Sequence, residues 1–293
     1  PGKNQGGLFE VRGKFHAATL DYASGWPSIT GIEGELLFAG ERMLITGKSG
    51  RIFGVDLRDV RAEIADLETP EELLVVTGKA LGPTADFLRY IEASPVSTHI
   101  DHFTENMKAA GTGELELKLD LPLRRMEHTK IAGKYRFDGN RLVVDADLPP
   151  LADVRGQLQF SADNLEARDI RGTLLGMPLS VSLTTSNNGV QINAAGELTA
   201  TALRRQFAHP VFDHLSGSAK WNGDIRVKNK SADVKITSNL VGLSSSLPEP
   251  FNKSAKESLA ASFERHILNT IDTDIGSTQK VGAGNTAPSK TTT

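Results

Sequence analysis

The 293-residue chain contains no cysteine, which excludes disulfides, thiol catalysis and thiolate metal sites. That absence suits an oxidising compartment without demanding one. Aromatic residues make up only 6%, too few for the stacked platforms that hold single-stranded nucleic acid. Neither sign of charge dominates, because Lys+Arg 33 against Asp+Glu 36 leaves a net charge of −3. Bulk electrostatic binding to nucleic acid or to an anionic membrane surface is therefore disfavoured. Long apolar runs are missing as well. The longest charge-free stretch, 172–196, contains Pro178, Asn187-Asn188-Gly189 and several Ser and Thr, so no segment reads as a membrane-spanning helix. The opening Pro1-Gly2-Lys3 has no initiator Met and no charged-then-apolar leader, which predicts that further chain precedes it.

What is present is ordinary for a folded chain. The hydrophobic fraction is 39% with 28 Gly in addition, which excludes wholesale disorder. The length predicts two domains or one elongated one.

The dominant signal is period two. Glu114-Leu115-Glu116-Leu117-Lys118-Leu119-Asp120-Leu121 alternates charge and leucine without a fault. A strand places the four leucines on one face and the four charges on the other, whereas a helix would scatter both sets. Leu179, Val181 and Leu183 alternate with Ser180, Ser182 and Thr184, and Val190, Ile192 and Ala194 follow Asn188-Gly189. This predicts a hairpin over 178–195. A further hairpin is predicted from Lys134–Phe137 and Arg141–Asp145 around Asp138-Gly139-Asn140. Helices are few and short: 83–92 begins at Pro83, 97–108 carries Ile100, Phe103 and Met107 on one stripe, and 201–208 ends before Pro210.

An internal repeat runs at a fixed offset of 122. Pro27, Gly34, Leu36, Phe38, Gly50, Gly54 and Leu57 match Pro149, Gly156, Leu158, Phe160, Gly172, Gly176 and Leu179 without a gap. After a four-residue deletion Gly78 matches Gly196. Tandem copies of a sheet module imply extension along one axis. The predicted division is a first module over 1–145, a related second module over 146–262, and a disordered tail over 263–293, where polar, turn-forming residues take over. Leu259, Phe263 and Ile267 also permit a last amphipathic helix within 254–270.

Reactive constellations are not found. His99 and His102 could share one helix face, yet the zincin glutamate and any cysteine are missing, so a solvated polar face is the simpler account. Gly47-Lys48-Ser49-Gly50 lacks both the upstream glycine spacing and the following helix of a phosphate loop. Glu114, Glu116, Asp120 and Asp145 read as exterior strand carboxylates rather than an acid/base pair. The sequence therefore predicts a non-enzyme with no catalytic residue, cofactor or metal. Its surplus is one-sided strands. Their apolar faces either pack against another sheet in a closed sandwich or line an open trough. An open trough suits a phospholipid, since about 30 chain methylenes are disfavoured in water by roughly 24 kcal/mol at ~0.8 kcal/mol each.

Several motifs carry a family resemblance. They are Trp221-Asn222-Gly223-Asp224, the stretch from Ser238 through Leu247-Pro248-Glu249-Pro250-Phe251-Asn252-Lys253, Ser94-Pro95-Val96, Gly111-Thr112-Gly113, Leu119-Asp120-Leu121-Pro122-Leu123, Leu148-Pro149-Pro150-Leu151 and Leu174-Leu175-Gly176-Met177-Pro178. Together, over about 1–260, they resemble the YhdP-type branch of the AsmA-like family. The resemblance implies a periplasmic β-groove of the bridge-like lipid transfer type in Gram-negative bacteria. It further implies an inner-membrane anchor outside this chain, a possible partner at the outer membrane, and phospholipid or another acyl-chain molecule as the ligand.

The expected fold is all-β, an elongated curved antiparallel sheet of two tandem modules with short connecting helices. The expected function is passive conduction of acyl chains, with no nucleic-acid partner and a role in the outer-membrane barrier. Strand alternation alone selects the candidate lining residues Leu36, Phe38, Leu115, Leu117, Leu119, Tyr135, Phe137, Leu142, Val144, Leu158, Phe160, Val181, Leu183, Val190 and Ile192. The competing expectation is an envelope scaffold with a closed core and protein partners. A carbohydrate-active β-protein is disfavoured by two Trp and three Tyr.

Overall fold

The computed structural model describes residues 9–145, 148–186, 189–228 and 231–268. Five strands come first: β1 (Glu10–Leu20), β2 (Ile29–Ala39), β3 (Arg42–Ile52), β4 (Val55–Ile64) and β5 (Leu73–Pro83). Helices α1 (Thr84–Glu92) and α2 (Val96–His99) then lead to β6 (Lys108–Pro122) and β7 (Lys130–Val143). Four more strands follow: β8 (Leu151–Ser161), β9 (Leu165–Leu174), β10 (Met177–Ser186) and β11 (Gly189–Thr199). The chain finishes with α3 (Ala200–Gln206), β12 (Leu215–Lys228), β13 (Ser231–Ser238), β14 (Leu243–Ser245) and β15 (Ala261–Leu268).

Every strand from β1 to β13 pairs antiparallel with its sequence neighbours, and β15 then adds to β13. The result is one open, curved all-β sheet. At about 4.8 Å per strand the 14-strand path measures roughly 62 Å across its hydrogen bonds. The only strand off that path, among the described residues, is β14, whose three pairs with the start of β12 make a small separate ladder.

The alternation seen in sequence sets the register. Leu115, Leu117, Leu119 and Leu121 of β6 stand opposite Ala80, Gly78, Val76 and Leu74 of β5. On the other face Glu114 pairs with Arg136, and Glu116 with Lys79. Helix α1 starts directly after Pro83, carries Asp86 in its first turn, and so fits the positive end of its own dipole. Helix α3 is capped by Thr199, whose hydroxyl accepts from the Ala202 amide at 3.1 Å.

Only twelve apolar side chains are buried among the described residues. A sandwich of this many strands would bury both inner faces, and among the described residues no second sheet of comparable size faces this one.

Four expectations are corrected. Residues 134–145 do not form a hairpin; β7 runs unbroken through Asp138-Gly139-Asn140. There Gly139 at φ 72° absorbs the extra residue as a bulge opposite Gly111 at φ 95°. Val144, expected on the same strand, lies one residue past its end and is exposed. The helix expected over 97–108 stops at His99, because Asp101 and His102 turn left-handed at φ 53° and 58°. Finally, residues 261–268 are neither helix nor structureless tail but the strand β15. The remainder of the tail, 269–293, and the turn residues Asn187 and Asn188 lie outside the described residues.

Candidate functional site

Residues directly opposite one another in an antiparallel sheet share a face. Read along the register, Leu36, Ile45, Ala62, Val76, Leu119 and Ile131 form one row across β2 to β7. A second row, Leu57, Ala80, Leu115, Tyr135 and Leu158, crosses β4 to β8. A third, Leu183, Ile192, Ile225 and Val234, crosses β10 to β13. The first row is half-buried throughout, as expected of side chains that touch flanking strands but carry no opposing layer. Six strands therefore present a continuous apolar strip to one side.

The other face is charged and self-neutralised. Arg42 reaches Glu63, Lys48 reaches Glu35, Arg51 reaches Asp56, and Lys235 reaches Glu264. The paired bases hold the carboxyls of Glu35, Glu63 and Glu72 below the usual range, first through hydrogen bonds from Lys48, Arg61 and Arg124. A recess of about 980 Å³ opens among Ser180, Ser182, Asn193, Asp224, Lys235 and His266. Its lining is mixed: beside these polar residues stand Val181, Ala194, Ala195 and Val234, and His266 is bonded to Asp233 at 2.5 Å.

The antiparallel order puts the β1–β2, β3–β4 and β9–β10 turns at the same end of the strands as α1 and α3. Helix α1 lies along that rim. Its Phe87 meets the Tyr135 ring edge-on at 5.1 Å. Its Arg89 stacks 4.1 Å over Phe53 of the β3–β4 turn. Farther along, the Tyr90 hydroxyl bonds that of Tyr22 at 3.0 Å, and Trp26 packs 6.0 Å from both rings. Burial drives the hydroxyls of Tyr22, Tyr90 and Tyr135 above the ordinary tyrosine range, Tyr90 furthest.

Of the candidate residues, Leu36 and Phe38 lie on β2, Leu115, Leu117 and Leu119 on β6, Leu158 and Phe160 on β8, Val181 and Leu183 on β10, and Val190 and Ile192 on β11. Phe137 on β7 packs against Tyr135 at 4.9 Å, and Leu142 pairs with Ala109 and Leu151. Tyr135 is set apart: it is 8% exposed and its hydroxyl bonds Thr84 at 2.8 Å beneath α1. Ile45, Ala62, Val76, Ile131 and Ile225 escaped selection. Stretches such as Leu73-Leu74-Val75-Val76 are apolar on both faces, which hides the period of two. His99 and His102 do not act together: His102 Nδ1 bonds Ser97 at 3.0 Å and His99 Nε2 lies 3.4 Å from the Ala162 carbonyl. Among the described residues no cluster of three metal-binding side chains forms, and no helix is long and apolar enough to cross a membrane.

The intermembrane phospholipid transporter YhdP of Escherichia coli (strain K12) is 24% identical over 273 residues, 89% of this chain and 21% of that protein. The chain thus spans about a fifth of the length of that relative. No solved structure matches it. A family model described as YhdP protein matches residues 1–284, and the chain belongs to the YhdP family.

Proposed function

We propose that this chain carries phospholipid acyl chains along the apolar face of its sheet, as one stretch of a passive conduit between the inner and outer membranes. The observation that carries the reading is the strip from Leu36 to Ile131, apolar in direct register over six strands and only half-buried. Such a strip exposed to water is costly, and a flexible hydrocarbon chain covers it without a specific shape. The E. coli relative, named for intermembrane phospholipid transport, supports phospholipid as the cargo class and a setting between two membranes. Anchorage at the inner membrane, by chain outside this sequence, and a docking partner at the outer membrane belong to the same reading. Conduction of this kind needs no reactive group, and the glutamates of β6 are committed to Arg136 and Lys79.

The lining residues in this proposal are Leu36, Phe38, Leu115, Leu117, Leu119, Phe137, Leu158, Phe160, Val181, Leu183, Val190 and Ile192. The two halves, 1–145 and 146–262, would be copies of one module. Support comes from β2 and β8, and β4 and β10, whose bounds differ by the same 122 residues as the sequence repeat. The left-handed pairs Gly31 and Asp153, and Phe53 and Leu175, keep that offset too.

The test is lipid extraction and mass spectrometry on purified protein, with photo-crosslinking residues at Leu117 and at Glu116. Stoichiometric phospholipid, labelled from 117 and not from 116, is expected. A stable, lipid-free protein would favour an envelope scaffold instead.

A further inference from the structure

Strands in a sheet lie about 4.8 Å apart, so an aromatic ring can lie down across its neighbour only where that neighbour has no side chain. This occurs four times on the apolar face. Phe15 of β1 stands opposite Gly34, Phe160 of β8 opposite Gly133, and Trp221 of β12 opposite Gly196, while Tyr135 reaches diagonally over Gly113. A methyl at Gly34 would sit 2.6 Å from Phe15 Cζ, one at Gly133 2.5 Å from Phe160 Cε1 and Cε2, and one at Gly196 3.0 Å from the Trp221 ring. The first two distances are far inside carbon contact; at Gly133 the atoms in the way all belong to the Phe160 ring, and at Gly34 the Thr46 carbonyl oxygen crowds the site beside the Phe15 ring. Any side chain at these glycines forces the ring to another χ1 rotamer, pointing away from the sheet.

The four rings are not equivalent. Tyr135 and Trp221 are 8% and 9% exposed, and the Tyr135 hydroxyl is engaged by Thr84, so these two belong to the packed support. Phe15 and Phe160 are half-exposed, on the face that the proposed function assigns to acyl chains. We infer that Phe15 and Phe160 are floor rings on which acyl chains rest, and that Gly34 and Gly133 are positioning residues that hold those rings flat. The inference depends on the conduit reading. A flat ring offers a broad face to a passing methylene chain; an upright one narrows the passage.

The full protein is compared with its Gly133→Ala and Gly133→Ala/Phe160→Ala variants, reading phospholipid per folded monomer beside the thermal midpoint. Gly133→Ala is expected to lower bound lipid at least fivefold, and the double variant to recover part of that loss while staying at least twofold below wild type, because it clears the upright ring but also removes the floor ring. Equal lipid in wild type and Gly133→Ala, whatever the shift in midpoint, overturns the inference and leaves the conduit intact. Folded wild type without lipid sinks the conduit and this inference with it. Should Gly133→Ala fail to fold, a benzophenone residue at 160 decides: labelling of acyl chains there, and not from 159, supports the assignment, and silence at 160 overturns it.

Discussion

The Asn140 side-chain amide donates to the Thr84 hydroxyl at 2.6 Å, joining residues 56 positions apart. The same amide group donates to the Thr112 carbonyl at 3.0 Å, and the Asn140 carbonyl oxygen accepts from the Asp138 amide at 2.8 Å. Thr84 in turn bonds Tyr135. The bulge in β7, the β6 backbone opposite it and the start of α1 are thereby fastened by one fully buried side chain.

Replacing Asn140 by Ala takes the side-chain partner from the Asp138 amide and the Thr112 carbonyl at a buried site, while Thr84 keeps its bond to Tyr135. A loss of about 1–3 kcal/mol is expected from such orphaned groups, read as a lower urea midpoint at unchanged slope. Thr84→Val should lose less, because Asn140 keeps its backbone partners.

Lys253 ends the motif that begins at Ser238. It is 8% exposed, and its ammonium donates to the carbonyls of Leu240, Leu243 and Ser254 at 2.8, 2.9 and 3.0 Å. Its role is to satisfy a turn rather than to meet a lipid headgroup. Lys253→Met should cost about 1–3 kcal/mol and speed amide exchange across 239–255, while bound lipid per folded molecule stays unchanged.

All three tyrosines of the chain are partly or wholly buried with hydroxyls raised above the normal range. A raised folded-state value favours the folded form fully below the unfolded tyrosine value, about 10, and that contribution fades as pH climbs through the folded values. Stability should therefore fall above about pH 10. Tyrosinate absorbance should rise with unfolding rather than before it; a free titration of all three at pH 10 in folded protein contradicts this.

A charge in the apolar strip separates transport from folding. Leu119→Asp sits between Val76 and Ile131 and should cut retained phospholipid severalfold. Lys118→Ala on the opposite face, whose only ion pair among the described residues is the contact with Asp120 at 3.3 Å, should leave it unchanged.

How much of this was legible beforehand depends on the kind of signal. Glu114 to Leu121 stated a strand and its two faces. The fixed offset of 122 likewise foreshadowed the matched bounds of β2 and β8. Asp138-Gly139-Asn140 misled because a turn-forming triplet and a bulge have the same chemistry. Only the distant partners of Asn140, Thr112 and Thr84 at 28 and 56 residues away, decide between them. The stripe Ile100, Phe103 and Met107 misled for a related reason: the Ser97–His102 contacts favour a left-handed stop over another helical turn. Phe15 and Phe160 were beyond reach as a pair of floor rings, since a glycine opposite a phenylalanine is visible only once the register is known.

The strand order has one more consequence. Along the main path each strand depends on the one before it and the one after it, so nothing has to meet at a closing seam. Reach becomes a matter of counting: inserting or removing strands two at a time shifts the far end by about 9.6 Å, returns the chain to the same bank, and leaves every other ladder as it was.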